Sequence, residues 1–399
     1  MIAMFCRVFG EGFRVFFIAA GLYGVFAMIV WEGWLGVHAA GGMVSDMPFS
    51  PVPHIWHGHE MIFGYATAAL GGAFLTAVPN WTGAPAVRRQ LVMALAGLWL
   101  AGRLAIWTSA SLPAGLVATV DLAFLPALGA TITAQLLRRP KPQNILLLGA
   151  LAMLWGGNLR MHADWMGWSW GDAVAGLRAG LLGVVAMIAM LGGRVTPAFT
   201  RNAMQRAGQG ARLPKSFRPV EFLSITTAMG LPAAYLFGLP DVLTGALAVL
   251  AGVLILVRLS GWRSLWALNL AILWPLHLAY AFLGLGYLAL GLSVFGTGSE
   301  VAGLHLLGIG AVGGMTLAMM SRASLGHTGR QLILPEMMVP AFLLVALAAG
   351  LRWAGSVWPG VYYPMVLGAG AAWIVAFALF LTVLGPILLG PRQSAPQNG

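Results

Sequence analysis

Three imidazoles and a carboxylate crowd into one short stretch, His54-Ile55-Trp56-His57-Gly58-His59-Glu60, at the head of a mostly apolar run from Met61 to Val78. Neutral imidazole is the commonest biological metal ligand, and it suits copper, zinc, iron and haem. A lone histidine at a membrane edge is more often a hydrogen-bonded interfacial residue. Three within six residues, joined by Glu60, favour a metal or haem site. Helical geometry limits how they can share it. His57 and His59 stand about 200° apart on a regular helix, so they cannot both reach one ion, whereas His54 and His57, or His57 and Glu60, can share a face. The expected arrangement starts the helix near His57, turns His59 into the bundle and leaves His57 at the rim. That suits two neighbouring functions better than one tridentate site. The single cysteine, Cys6, excludes an internal disulfide framework, a cysteine zinc site and an iron–sulfur cluster.

A second stretch pairs a histidine with glycines. His305 is followed by Gly308, Gly310, Gly313 and Gly314, as His59 is followed by Gly64, Gly71 and Gly72. Small residues let helices approach closely or leave room for a flat cofactor, and close packing is the commoner use. Two such helices facing each other would offer His59 and His305 as axial imidazoles to one haem. Arg103, Asp121 and Arg160 are costly in hydrocarbon and are expected to face the bundle interior. Arg103 and Asp121 are placed to pair, and Arg103 and Arg160 are alternatively placed to meet haem propionates. The metal-ligand candidates are thus His54, His57, His59, Glu60 and His305. The cofactor-binding candidates are His59, His305, Arg103 and Arg160.

The elements that carry these residues follow from composition. Of 399 residues 59% are hydrophobic and 8% charged, against about 25% charged in a soluble domain, so the solvent for most of this chain is lipid. Apolar runs predict an all-α polytopic bundle of about twelve membrane helices, at 13–36, 58–78, 91–107, 113–137, 144–163, 173–193, 220–238, 241–258, 265–292, 301–321, 335–351 and 360–388. It forms one helical bundle over 1–390, with a disordered polar tail at 391–399. Pro126, Pro232 and Pro275 interrupt spans, where neighbouring helices can satisfy the freed carbonyls. With both ends cytoplasmic, 18 of the 22 Lys and Arg fall on the inner side. That asymmetry explains the +11 net charge without a nucleic-acid partner. It also puts His54, His57, His59, His162 and His305 at the outer face, and the basic segment from Arg194 to Pro219 in a cytoplasmic loop beside anionic headgroups.

Three long motifs, HGHEMIFGYATAALGGAFLTAVPNWTG (57–83), GGRVTPAFTRN (192–202) and the 305–330 segment ending SLGHTGR, resemble the NnrS family, in the family's order and across nearly the whole chain. The resemblance implies a multi-pass protein of the bacterial inner membrane, containing haem and copper, linked to nitric oxide, nitrosative stress and denitrification. It maps His57, His59 and Glu60 to one motif, Arg194, Pro197 and Asn202 to the second, and His305, His327, Gly329 and Arg330 to the third. Two other classes stand beside it. A redox enzyme of the haem–copper oxidase or nitric oxide reductase type would need about six metal-binding histidines, but this chain has no His-His pair and carries only His305 on the tenth span. A small-molecule or metal transporter would be expected to show repeat symmetry and a mid-membrane site, and no internal repeat is visible.

Overall fold

In lipid every backbone N–H and C=O must be satisfied within the protein, which leaves helices as the form available to these apolar runs. The computed structural model describes residues 2–139 and 142–393, and the described residues contain no strand. Residues 394–399 of the expected tail lie outside them. Each of the twelve expected segments contains a helix. The helices are α1 Gly12–Ala39, α2 Pro53–Thr82, α3 Arg89–Trp107, α4 Ala114–Leu136, α5 Pro142–Trp165, α6 Ala173–Arg206, α7 Arg218–Leu236, α8 Asp241–Ser260, α9 Trp274–Val294, α10 Glu300–His327, α11 Met338–Val357 and α12 Pro359–Leu389. Ten of these are long and apolar enough to cross a membrane, so the chain is a multi-pass membrane protein. The two others, α5 and α7, are of similar length but more polar. In α5 the polar residues include Asn158, Arg160 and His162.

Three expected boundaries move, each for a local reason. The second helix begins at Pro53, not near His57, because proline's fixed φ and missing N–H suit the first helical turn. The sixth runs on to Arg206, so Arg194, Pro197 and Asn202 lie on a helix and the connecting loop begins only after it. The ninth starts at Trp274, with Pro275 in its first turn, so this proline begins a helix where a kink was expected.

The chain divides into two units. The first comprises residues 1–180, 320–338 and 374–399, and so holds α1–α5, the first turns of α6 and the later parts of α10 and α12. Its helices meet at glycines. A side chain at Gly157 on α5 would strike the backbone of α6 at Gly176 and Gly180, 2.6 and 2.7 Å away. A side chain at Gly72 on α2 would strike Phe17 of α1 at 2.6 Å. The buried Arg14 donates to the carbonyls of Leu388 (2.6 Å) and Gly390 (2.9 Å) at the end of α12, a cation at a helix C-terminus.

The second unit comprises residues 181–319 and 339–373. One of its buried cations is Arg258 of α8, which donates to the Ala189 carbonyl (3.0 Å), Ser224 Oγ (3.0 Å), Tyr280 Oη (2.8 Å) and the Gly193 carbonyl (3.2 Å).

Two internal prolines show how the backbone is repaired. A proline removes the N–H that would bond the carbonyl four residues earlier. Pro126 frees the Leu122 carbonyl, and the indole N–H of Trp155 on α5 donates to it at 3.0 Å. Pro197 frees the Gly193 carbonyl, which takes the Arg258 guanidinium. The first repair lies one residue beyond Asp121 and fixes the turn that carries it. Trp155→Phe leaves the Leu122 carbonyl without its donor, at a cost of about 1–3 kcal/mol. In a Pro126→Ala background the restored N–H takes that carbonyl, so the cost of Trp155→Phe shrinks. A double-mutant cycle read from unfolding in detergent should show this coupling, and additive effects would contradict it.

Candidate functional site: a buried histidine and carboxylate cluster

Five helices of the first unit bring seven polar side chains together: Tyr23 (α1), His59 and Glu60 (α2), Arg103 (α3), Asp121 (α4), and Asn158 and His162 (α5). All but Tyr23 are buried, and His59 and Glu60 are fully inaccessible. Within α2 the α-helix ends at His59 and a π-helical turn runs from Glu60 to Ala66. Such wide turns are rare, are frequent at functional sites, and change the register of the side chains that follow. The loosened carbonyls are capped locally: Thr67 Oγ1 donates to the Phe63 carbonyl at 2.5 Å, and Trp99 Nε1 donates to the Gly64 carbonyl at 3.0 Å.

Glycines make the space. A side chain at Gly64 would collide with the Tyr23 ring and meet Arg103 Nη1 at 3.2 Å; one at Gly102 would meet Asp121 Oδ1 at 3.0 Å. These two positions let Tyr23, Arg103 and Asp121 close on Glu60.

Arg103 sits between the carboxylates. Its Nη1 donates to Glu60 Oε1 at 2.7 Å and its Nη2 donates to Asp121 Oδ1. Tyr23 donates its hydroxyl to Glu60 Oε2. The Glu60 Oε1 that takes Arg103 also lies 2.7 Å from His59 Nδ1. Asp121 Oδ2 gathers three groups: Asn158 Nδ2 donates to it at 2.8 Å, His162 Nε2 lies at 2.9 Å and His59 Nε2 at 3.2 Å. Trp165 and Phe63 wall the histidines, with ring centroids 5.3 and 5.0 Å from His59.

One nitrogen from each of His59 and His162 and one oxygen of Asp121 lie within 4.8 Å of one another, a set able to hold a metal ion. The charges point the same way. Two carboxylates face one guanidinium, leaving one negative charge for a proton or a bound cation to balance. In this dry setting a charge left unbalanced is costly.

The sequence-derived residues separate as follows. His59, Glu60 and Arg103 belong to the cluster, and the expected Arg103–Asp121 pair forms. His57 is half-buried outside it, stacked on Trp31 with centroids 4.7 Å apart. His54 is exposed. Arg160 faces Asp172 at 3.7 Å. His305 lies in the second unit, one residue before another π-helical turn, Leu306–Gly313, and its Nδ1 is 2.8 Å from the Val301 carbonyl. Of the glycines after it, Gly310 packs on Phe282, Gly313 on Trp373 and Gly314 on Ala279, while Gly308 has open space at its Cα. His162 and Asn158 join the site without having been singled out as ligands. Their spacing of four on an apolar helix was the available signal, since it sets both on one face.

A multi-pass helical membrane protein built around a buried imidazole–carboxylate cluster is the class that fold and site define. The chain matches the family described as NnrS protein over residues 7–392, nearly its whole length, and it belongs to that family. No curated protein matches it.

The cluster is most sensitive at its hub. Arg103→Met strands Glu60 and Asp121 as buried charges and is expected to destabilise by about 3–5 kcal/mol. Arg103→Lys keeps the charge but loses the fork that serves two carboxylates, and falls between. Unfolding midpoints in detergent check this order, and an unchanged midpoint for Arg103→Met would contradict the pairing.

Proposed function

We propose that this protein is a haem- and copper-binding protein of the bacterial inner membrane that acts in the response to nitric oxide and nitrosative stress, in association with denitrification. The observation that carries the reading is the placement of His59 and Glu60, both fully inaccessible and standing in the motif that the family resemblance rests on, at the centre of a polar cluster.

The donor sets fit the two groups unequally. At His59 both ring nitrogens face protein oxygens, Glu60 on one side and Asn158 and Asp121 on the other. That surrounding suits a small cation, for which His59, His162 and Asp121 supply the donors. At His305, Nδ1 faces the Val301 carbonyl, which selects the tautomer whose Nε2 keeps its lone pair. That is the tautomer in which His305 would hold haem iron, and the open space at Gly308, one turn on, is compatible with a flat cofactor. When bound, haem iron would supply the position at which nitric oxide binds.

Access to the cluster is lateral. Nitric oxide is small, uncharged and soluble in lipid. An apolar cleft of about 520 Å³ between α1 and α3 is lined by Phe16, Ala19, Tyr23, Met93, Trp99 and Leu100. Tyr23 is at once a wall of this cleft and a donor to Glu60. A lipid-soluble ligand can therefore approach the cluster from the side without crossing an aqueous path.

Optical spectra of the detergent-purified protein, oxidised and reduced, before and after nitric oxide, test the proposal. A Soret band that shifts with nitric oxide and weakens in His305→Ala is expected. Colourless protein from cells well supplied with haem would contradict it.

A further inference from the structure

The geometry points to a specific transition-metal site inside the cluster, with His59 Nε2, His162 Nε2 and Asp121 Oδ2 as ligands, and with Glu60 behind it as the carboxylate that orients His59. This deepens the metal-binding half of the proposed function and does not depend on nitric oxide.

Glu60 accepts from Arg103 and Tyr23, as an ionised carboxylate does, so the proton between it and His59 sits on His59 Nδ1. Asn158 donates its Nδ2 to Asp121 Oδ2, which fixes the amide and turns its Oδ1 toward His59 Nε2 at 2.9 Å. His59 Nε2 therefore meets only oxygens: Asn158 Oδ1 at 2.9 Å and Asp121 Oδ2 at 3.2 Å. A neutral imidazole would set its lone pair against theirs. His162 Nε2 meets the same Asp121 oxygen at 2.9 Å. Something positive must lie among these atoms.

A metal ion answers for all of them at once. With bonds of about 2.0–2.1 Å, neighbouring ligands of a tetrahedral ion lie about 3.3 Å apart. The separations here, 2.9 and 3.2 Å, fall close to that edge. A divalent ion would offset the single excess negative charge and leave one positive charge for a bound hydroxide to balance. Asn158 Oδ1 is a further oxygen within reach. The second-sphere pattern matches as well. A ligating histidine usually gives its other N–H to a carboxylate; here Glu60 takes that N–H and is itself held by Arg103. Two imidazoles and a carboxylate, with no sulfur, suit a divalent first-row ion, copper(II) most tightly and zinc next.

The test uses the full-length protein purified in detergent from cells supplied with copper and zinc. Metal content by mass spectrometry, with electron paramagnetic resonance of copper(II), is expected to give about one ion per chain with nitrogen couplings from two imidazoles. His162→Gln and Asp121→Asn should lose the ion. Glu60→Gln should weaken it about 10–100-fold. His54→Ala, at the exposed histidine, should keep it. Should the cluster variants fail to fold, cobalt(II) titrated into the wild-type protein serves instead, with two-imidazole ligand-field bands expected. Folded wild-type protein that takes up neither ion, an ion fully retained in His162→Gln and Asp121→Asn, or an ion lost in His54→Ala would overturn the assignment. Loss of haem or of the nitric oxide response with the ion retained would overturn the proposed function and leave this site standing.

Discussion

The buried fork of Arg103 between Glu60 and Asp121 is the constraint on which the rest of the first unit depends. A guanidinium inside a membrane bundle is tolerated only where its charge is matched and its N–H groups are used. Both carboxylates must therefore reach it, which fixes α2, α3 and α4 at a common depth. Gly64 and Gly102 remove the side chains that would keep them apart. The π-helical turn at Glu60 and the break at Pro126 adjust the two acid-bearing helices locally. In each case a neighbouring indole, Trp99 or Trp155, supplies the hydrogen bond that the irregular turn lacks.

The second unit solves a similar problem without carboxylates at its centre. Arg258 is satisfied mainly by carbonyls and hydroxyls, and one of those carbonyls is available because Pro197 cannot bond it. The contrast bears on function. A cation held mainly by neutral dipoles, with the Glu221 carboxylate 3.7 Å away, holds a fold together, whereas two carboxylates facing one guanidinium, with two imidazoles beside them, leave a charge to be balanced. Chemistry is expected in the first unit's cluster for that reason.

Much of this was legible in the sequence. Apolar length set the helices, because lipid leaves few alternatives. The cost of burying Arg103 and Asp121 announced their pairing, and helical periodicity turned His59 inward and His57 outward. Other features were not legible. The second histidine of the cluster, His162, lies about a hundred residues beyond His59, and no local spacing links them. Its own helix looked less apolar because it carries site residues. The π-helical turns have no strong sequence signature, and proline has two readings in an apolar run: Pro275 begins a helix, while Pro197 lies inside one. Motif density drew attention to His54, yet the fold leaves it exposed while bringing Asn158 and His162 from elsewhere.

The central claim is that the acceptors around His59 and His162 enclose a metal cation. X-ray absorption at the metal edge of the purified protein tests it most directly. Nitrogen and oxygen neighbours at about 2.0–2.1 Å are expected, with the more distant scattering of two imidazole rings and no sulfur. A spectrum showing a sulfur ligand, or a bound ion without imidazole scattering, would contradict it.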